Sequence, residues 1–420
     1  MGVRALRILV VSNLYPPAYL GGYELSCKDI VDGLRARGHD VYVLTSTYRA
    51  PSCPAETSIS RILNHYWGSY PDGTLALSLS QAAKSYWLDF ANYRWVKKWI
   101  RELEPEFIYL WNLERISPVP IIAAAKESGI PFAVHLMDYW LRDTRLPDEF
   151  FGPAPKPLKQ VIWKAREILR RIIDPYIMPI PLIATSETVR REYLRTGFPP
   201  ENIQVIYHGI RTDLQLSEED FGLNRIREGR PFRILFAGAL IPYKGVDTLI
   251  MALSGLVHLK EVRDIRLDIV GQGAREYTEE LCALVRQHQL DGFVSFLGFV
   301  PRQDLLMKYR EYDVFIWPTK REEPFGTVVI EAMISGVPVI ASSVGGPTEY
   351  ITNGRTGILV PPGDSVKLAI AIHNLLFDDG LRERIRKNAL ALVRDRFDIE
   401  RSIDKIESYI RERIRSGQGI

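Results

Sequence analysis

The sequence predicts an α/β protein made of two doubly wound parallel-sheet domains in tandem. Short β-branched runs alternate with helical patterns along the chain, which is typical of a parallel sheet covered on both faces. The alternation restarts near the middle, where RILFAGAL at 233–240 repeats in outline the opening RILVVSNL at 7–14. The length of 420 residues points the same way, because one ordinary hydrophobic core rarely extends over so long a chain.

Each predicted strand is a short apolar run that ends in a turn or leads into a helical pattern. After the first strand, Ile30, Val31 and Leu34 share one face of a predicted helix that Gly38 closes. The predicted strands of the first half are 7–12, 41–46, 107–111, 131–136 and 181–186. Those of the second half are 233–240, 266–271, 293–298, 314–318 and 337–342.

Changes in composition predict the domain boundaries. We expect an N-terminal domain over 1–208 and a C-terminal domain over 231–395, joined by the charged, apolar-poor linker 209–230. Residues 396–420 carry an amphipathic helical pattern. Its apolar stripe could pack back on the N-terminal domain.

Composition and charge argue against several classes of protein. The contents of 46% hydrophobic and 25% charged residues are ordinary for a globular protein, and a net charge of +3 does not indicate a nucleic-acid partner. The three cysteines have neither disulfide nor metal-ligand spacing, so we expect reduced thiols and no metal site. The first apolar run is too short for a secretory signal, and no run is long enough to cross a bilayer. A cytoplasmic protein is expected, peripheral at most to the inner membrane face.

Four loops of the second half follow predicted strands and carry glycine, proline or charge. They are GALIPYKG at 238–245, GQG at 271–273, GFVP at 298–301 and PTKREEPFG at 318–326. Open parallel sheets bind ligands outside the carboxyl ends of their strands. These loops therefore predict one binding crevice.

Several positions in these loops suit a phosphate. Lys244 could hold one as a point charge, although a solvated lysine in a first helical turn fits equally. Gly271 opens a G-x-G turn without the third glycine of the dinucleotide fingerprint, so it could also be a simple tight turn. Gly326, Thr327 and Val328 should open a helix whose first N–H groups favour an anion such as a diphosphate.

Two carboxylates flank that helix start, at Glu323 and Glu331. Glu331 lies inside the predicted helix and could accept two hydrogen bonds from a vicinal diol such as ribose. Glu323 lies outside it and would reach a different part of the ligand. The alternative is structural, with both carboxylates in salt bridges to Lys320 or Arg321.

Residues 318–364 resemble the C-terminal signature of glycosyltransferase family 4, whose members are retaining enzymes of GT-B fold. The resemblance covers PTKREEPFG, GVPVIAS, VGGPTEY and TGILVPPGD, and it continues upstream through LGFVP, IVGQG and GALIPYKG. In the N-terminal half it is weaker, at the Gly21-Gly22 loop followed by Glu24 and at VHLMDYW, 134–140. It implies two Rossmann-like domains facing a central cleft, with the donor on the C-terminal domain and the acceptor on the N-terminal one.

The resemblance also implies a reaction. A sugar would move from a nucleotide donor, a UDP- or GDP-sugar, to a glycan, lipid-linked or small-molecule acceptor, with retention and without a metal or other cofactor. Lys244 and the amides of 326–328 would hold the diphosphate, and Glu331 the ribose. Glu323 would act on the donor sugar. The remaining donor-binding positions would be Phe299 and Val300 at the base, Gly271, and Gly21 and Gly22 at the phosphates or acceptor.

The sequence departs from the family pattern at two places. An arginine common in relatives is Ala239 here, and Lys320 or Arg321 could replace it. A histidine that many relatives place before Asp-Tyr-Trp is Met137 here, with His135 two residues earlier. Residues two apart in a strand face the same way, so His135 is our candidate for a catalytic role, with a structural histidine as the alternative.

Residues 156–176 form a further pattern, with apolar residues at helical spacing and lysines and arginines largely elsewhere. Such a basic amphipathic helix could contact an anionic membrane, or it could simply cover the sheet.

Other functions remain open on the same architecture. A nucleotide-sugar epimerase would act on the donor without an acceptor, and a phosphorylase would need a pyridoxal lysine, which the sequence does not reveal. A non-catalytic sugar-nucleotide-binding protein is conceivable because of Ala239 and Met137. The joint presence of Lys244, Glu323 and Glu331 argues against it.

Overall fold

The computed structural model describes residues 4–19, 21–49, 52–54, 56–66, 84, 89–141, 164, 178–211 and 229–417. The chain divides into two compact units, one of Met1–His208 with Ile399–Ile420 and one of Gly209–Asp398. Most of the predicted linker 209–230 and nearly all of the basic segment 156–176 lie outside the described residues.

The first unit contains a seven-stranded parallel sheet in the order β3-β2-β1-β4-β5-β6-β7. The strand order reverses between β1 and β4, which is where doubly wound sheets open a crevice at their carboxyl edge. The strands are β1 Arg7–Val11, β2 Asp40–Ser46, β3 Ile59–Leu63, β4 Phe107–Leu110, β5 Phe132–Leu136, β6 Leu182–Ala184 and β7 Ile203–Val205. The helices among them are α1 Gly22–Ala36, α2 Phe90–Leu103, α3 Pro118–Glu127 and α4 Glu187–Arg195.

The second unit repeats this plan with six parallel strands in the order β10-β9-β8-β11-β12-β13. Its reversal lies between β8 and β11. The strands are β8 Phe232–Ala237, β9 Ile265–Val270, β10 Val294–Gly298, β11 Val314–Trp317, β12 Val339–Ser342 and β13 Ile358–Val360. The helices are α5 Val246–Leu259, α6 Arg275–Gln287, α7 Arg302–Lys308, α8 Thr327–Ile334, α9 Ser365–Phe377 and α10 Asp379–Arg396.

Every strand that the sequence predicts is confirmed, with ends that differ by a few residues. The prediction missed β3, β7 and β13, which lie at or beside the margins of the two sheets. All three are short and only partly buried. A marginal strand needs no continuous apolar run, because one of its edges meets no other strand, and so it leaves a weak pattern in the sequence.

The last helix, α11 Ile399–Arg415, packs on the first unit. Ile403, Ile406 and Ile410 share a core cluster with Ile30 of α1. Contact is close, because a Cβ at Gly33 of α1 would lie 2.1 Å from the Ile403 side chain. The amphipathic stripe at the C-terminus therefore contributes to the core of the domain at the other end of the chain.

Candidate functional site

Lys244 and Glu323 form an ion pair at the carboxyl edge of the six-stranded sheet. Lys244 ends a 3-10 turn after β8, and Glu323 lies in the loop after β11. The Lys244 Nζ and Glu323 Oε1 atoms are 2.7 Å apart, and each side chain is only 12% exposed. The two residues meet because β8 and β11 are neighbours in the sheet.

The Lys244 ammonium also lies against an aromatic ring. Its Nζ is 4.4 Å from the centroid of Trp317, the last residue of β11, and 5.5 Å from that of Tyr243. Burial lowers the pKa of Lys244 below its usual value, and the adjacent Glu323 carboxylate partly offsets this. The cation is thus held in a poorly hydrated place, where an arriving anion would interact with it strongly.

The loop that carries Glu323 is held by two glycines, Gly345 and Gly346. The Gly346 N–H donates to the Glu323 carbonyl oxygen over 2.8 Å. A Cβ at Gly345 would lie 2.4 Å from that oxygen, and one at Gly346 would lie 2.5 Å from the Cα of Phe325. The VGGP turn therefore fixes the position of the Glu323 backbone, and it can do so only without side chains.

The predicted helix start is confirmed, since α8 begins at Thr327 after Gly326 in a left-handed conformation, φ 79°. Gly326, Thr327 and Val328 are all partly exposed. The first N–H groups of a helix have no acceptor within it, and the helix dipole adds positive potential there. The Tyr350 hydroxyl supports this turn by donating to the Phe325 carbonyl oxygen over 2.8 Å.

Glu331 lies in the second turn of α8 and is 3% exposed. Its Oε1 accepts a hydrogen bond of 2.5 Å from Nε of Arg302, the first residue of α7. A buried carboxylate needs such a partner. Arg302 is a residue that the sequence analysis missed, and its position directly after the GFVP loop was the available signal.

The predicted structural alternative for the two carboxylates was wrong about their partners. Both carboxylates form ion pairs, but with Lys244 and Arg302. Lys320 instead pairs with Asp247 at 2.5 Å, and Arg321 lies 5.7 Å from the centroid of the Tyr243 ring. Nearness in sequence was a poor guide here, because each side chain pairs with a residue of another segment of the chain.

Other loops at this edge approach each other closely. A Cβ at Gly271 would lie 1.8 Å from the Gly238 carbonyl oxygen, so this glycine is required by the packing of the loops after β8 and β9. Ala239, where relatives often have arginine, is exposed. After β10, Phe299 is 54% exposed and Val300 is partly buried. The donor-binding roles of Gly271, Phe299 and Val300 stay predictions.

In the first unit, His135 lies near the carboxyl end of β5 and is 1% exposed. Its Nδ1 is 2.5 Å from the Tyr109 hydroxyl, and its ring lies 4.2 Å from that of Trp111, centroid to centroid. Burial, with a smaller effect of His208, lowers the pKa of His135 well below its usual value. The residue is thus a neutral, packed side chain, and its catalytic role stays a prediction. Met137 is buried in the same unit, 3% exposed.

Gly21 and Gly22 lie at the N-terminus of α1. The Gly21 N–H donates to the Glu24 carboxylate over 3.0 Å, which caps the helix. Among the described residues, a Cβ at either glycine would meet nothing within 4 Å, and neither glycine needs a left-handed backbone. Contacts within the described part of the chain therefore do not explain these glycines.

The sequence analysis also missed Asp138, which follows β5. Burial, together with the nearby Glu114 carboxylate, raises the pKa of Asp138 to about 8. Its Oδ1 accepts a hydrogen bond from the Trp140 backbone N–H over 2.9 Å. A carboxyl group that holds its proton near neutral pH can donate a hydrogen bond as well as accept one. Its position in the VHLMDYW stretch was the available signal.

Among the described residues, no group of three or more histidine, cysteine or acidic side chains could hold a metal ion. Within the same residues, no helix has both the length and the apolar character needed to cross a bilayer. The proposed membrane contact at 156–176 lies outside them, apart from residue 164.

Comparison with protein families assigns both halves of the chain. The model described as Glycosyltransferase Family 4 matches residues 20–214, and the one described as Glycosyl transferases group 1 matches residues 218–391. The chain belongs to glycosyltransferase family 4. The resemblance in the signature at 318–364 is thereby confirmed, and the protein is a glycosyltransferase.

Individual relatives extend this family 4 assignment over nearly the whole chain. An uncharacterized glycosyltransferase of Methanocaldococcus jannaschii is 27% identical over 412 residues, which cover 91% of this chain and 92% of the relative. The glycogen synthase of Mycobacterium tuberculosis is 25% identical over 405 residues, covering 94% and 91%. The structure of Anabaena HepE, solved with UDP and glucose, has a TM-score of 0.69 at 23% identity and covers 97% of this chain and 100% of its own. The two parallel-sheet domains are those of the GT-B fold.

Proposed function

We propose that this glycosyltransferase moves a sugar from a nucleoside diphosphate donor to a glycan, lipid-linked or small-molecule acceptor, with retention at the anomeric carbon. One observation carries the proposal. The carboxyl edge of the six-stranded sheet presents a largely buried lysine and a helix N-terminus beside two carboxylates that lie in different elements. Positive groups suit a diphosphate, and carboxylates suit the hydroxyl groups of two sugars.

The diphosphate would contact Lys244 and the first amides of α8. The lysine supplies a full charge in poorly hydrated surroundings, and the amides of Thr327 and Val328 supply directed donors. Ala239 places no second cation beside the lysine. Lys244 would therefore carry more of the phosphate interaction than it does in relatives with an arginine there.

The two carboxylates would bind different parts of the donor. Glu323 lies 2.7 Å from Lys244, which fits a sugar joined directly to the phosphate that the lysine holds. Glu331 lies further along α8, and Arg302 holds its carboxylate in place by a hydrogen bond. The carboxylate could accept hydrogen bonds from the two hydroxyl groups of the ribose. This separation explains why both carboxylates are present.

In the proposed reaction, the bond between the anomeric carbon and the diphosphate oxygen breaks, and its electron pair remains on the diphosphate. Lys244 and the α8 amides stabilise that charge, and a single preorganised donor of this kind can contribute about 3–4 kcal/mol. The acceptor hydroxyl bonds to the same face of the sugar and passes its proton to a diphosphate oxygen. The scheme explains retention without a protein nucleophile, and it requires no divalent metal.

The acceptor would bind at the carboxyl edge of the N-terminal sheet. None of the described residues lies within 4 Å of a Cβ built at Gly21 or Gly22, so a ligand could approach the backbone there without meeting their side chains. Asp138 and Glu114 follow β5 and β4, and both could contact acceptor hydroxyl groups. We place the protein in the cytoplasm, where nucleotide sugars are available.

Calorimetry with UDP and GDP tests the donor site directly. Lys244→Ala should weaken binding of the preferred nucleotide by roughly 1.5–3 kcal/mol, because a charge-assisted contact is lost. The matched control is Lys367→Ala, an exposed lysine of the same domain with a distant pair to Asp364 at 3.8 Å, which should bind normally. Equal affinity of wild type and Lys244→Ala would refute the assignment of Lys244.

A transfer assay separates the competing functions. Incubation with UDP-, GDP- and ADP-sugars and a panel of glycan and lipid-linked acceptors should yield a product whose new bond keeps the donor's anomeric configuration by NMR. An inverted product would refute the proposed mechanism. Isomerised donor without acceptor would indicate an epimerase, and nucleotide binding without any turnover would indicate a binding protein.

A further inference from the structure

Trp317 lies at the end of β11, beside the proposed diphosphate site. It is 4% exposed, and its ring is nearly parallel to those of Phe236 and Phe315, with centroids 6.1 and 6.3 Å apart. The Lys244 ammonium is 4.4 Å from the Trp317 ring centroid. This distance is within the range of a cation–π contact, and tryptophan is the strongest partner for one.

The indole N–H indicates that packing alone does not account for a tryptophan at position 317. Among the described residues, this N–H finds no hydrogen-bond acceptor, and it is buried. A buried N–H without a partner costs stability, so phenylalanine or leucine would fill an apolar site at a lower cost. The tryptophan must offer something more, and its face binds a cation more strongly than that of phenylalanine, whereas leucine has no such face.

Besides its ion pair with Glu323, the buried charge of Lys244 needs a further stabilising contact that leaves its N–H groups available. Glu323 is its acidic partner, at 2.7 Å, and the carboxylate is also the group that we assign to the donor sugar. A carboxylate takes up the N–H groups of the ammonium and repels an incoming phosphate. An aromatic face attracts the cation without accepting a conventional hydrogen bond, so the N–H groups remain available for the phosphate.

We propose that Trp317 is a positioning residue that holds the Lys244 ammonium over its indole face, in place to receive the donor diphosphate. The inference rests on the proposed function and adds to it.

The electrostatic surroundings of Lys244 make a pH test possible. Glu323 and Tyr243 face the ammonium, Arg321 lies over Tyr243, and Lys320 pairs with Asp247 on the adjoining segments. Burial lowers the pKa of Lys244, and a cation–π contact opposes that effect by favouring the charged form. Removal of the aromatic face should therefore lower the pKa of Lys244 further.

Two substitutions of Trp317 distinguish the effect of its aromatic face from the effect of its side-chain volume. Trp317→Phe keeps a π-face and removes the buried N–H, whereas Trp317→Leu keeps only apolar bulk. By calorimetry with UDP or GDP, whichever wild type binds, we expect Trp317→Leu to lose roughly 3- to 30-fold in affinity at pH 7.5, and more as the pH rises. Trp317→Phe should lose less, with a pH dependence closer to that of wild type. Equal losses in both variants without a change in pH dependence would overturn the proposal.

A second measurement does not depend on the donor. In protein labelled with 13Cε-lysine, the Lys244 signal is identified by its absence from Lys244→Arg, and its titration is followed by NMR. We expect the Lys244 pKa to fall in Trp317→Leu and to change less in Trp317→Phe. An unchanged pKa in Trp317→Leu would overturn the inference even if wild type bound no nucleotide, a result that would separately refute the proposed function. Thermal unfolding of both variants shows whether they remain folded.

Discussion

The carboxyl edges of the two sheets share a strand order but differ in chemistry. At the C-terminal edge, opposite charges meet in pairs, Lys244 with Glu323 and Arg302 with Glu331. At the N-terminal edge, two carboxyl groups lie near each other: Glu114, which pairs with Arg115 over 3.4 Å, helps to raise the pKa of Asp138 to about 8. The first arrangement suits a ligand that carries negative charge next to hydroxyl groups. The second suits a neutral ligand rich in hydroxyl groups.

The glycines of the two edges differ in the same way. At the C-terminal edge, Gly345 and Gly346 are required by the backbone they contact, with Cβ positions only 2.4 and 2.5 Å from the 323–325 loop. At the N-terminal edge, a Cβ at Gly21 or Gly22 would meet none of the described residues within 4 Å. The loops of the C-terminal edge are thus tightly packed, and those of the N-terminal edge leave room for a ligand. The shared topology provides the edge, and the loops decide what it binds.

The largest effect should follow from Gly345→Ala, compared with Gly21→Ala. The added Cβ would lie 2.4 Å from the Glu323 carbonyl oxygen, at a φ of 69°. We expect a loss of about 2–5 kcal/mol in unfolding free energy, from overpacking and from the left-handed backbone. Gly21→Ala should leave stability unchanged and impair only turnover or ligand binding. Equal stability of the two variants in chemical denaturation would contradict the contrast between the edges.

Glu323→Gln should lower kcat roughly 10²-fold or more, because the charge on this carboxylate opposes the positive charge that develops on the sugar. The nucleoside diphosphate should bind as well as before or better, since Lys244 no longer shares its ammonium with a carboxylate. Steady-state kinetics and calorimetry check the two parts. Glu322→Gln, an exposed neighbour, is the matched control and should behave as wild type. If Glu323→Gln kept the kcat of wild type, the ion pair between Lys244 and Glu323 would have a structural role only.

Glu331→Gln should act on binding more than on turnover. We expect the KM for the donor to rise roughly 10-fold with kcat little changed, as for loss of one charged hydrogen-bond acceptor. The control is Glu279→Gln, which removes an exposed ion pair to Arg275 in the same domain. Exposed pairs of that kind contribute little. A fall in kcat with an unchanged KM would contradict the proposal that Glu331 binds the ribose of the donor.

The last effect concerns Asp138, and its size depends on pH. Its folded-state pKa of about 8 lies above the ordinary value of 3.8, so the folded state binds the proton more tightly and loses stability as the pH rises from about 4 to about 8. Asp138→Asn cannot ionise and should escape that loss. Its thermal midpoint should exceed that of wild type at pH 8.5, by about 2–4 °C for each kcal/mol of unfolding free energy, and the two midpoints should converge near pH 4.

The control for this prediction is Asp40→Asn, an exposed carboxylate at the start of β2. It should show no such pH-dependent gain over wild type. A constant difference between Asp138→Asn and wild type from pH 5 to 8.5 would mean that Asp138 ionises normally. The N-terminal edge would then lack the property that separates it from the C-terminal one.

The sequence alone determined the fold class and the identity of the loops. Central strands such as 107–111 and 314–318 are buried on both faces, so their apolar runs are continuous and easy to recognise. The loop glycines and the carboxylates Glu323 and Glu331 also stand out, because a helix start and a close backbone approach need particular residue types at particular spacings. These features are local, and local features can be read along the chain.

Only the tertiary structure decided which side chains meet. The strand order sets β8 beside β11, so Lys244 reaches Glu323 across 79 positions, while the nearby Lys320 pairs elsewhere. The contact of Trp317 with Lys244 and the complete burial of His135 follow from the same spatial order. The pairing of charges depends on distances of a few ångströms between separate elements. Such distances are set by the packing of the sheet and not by the spacing of residues along the chain.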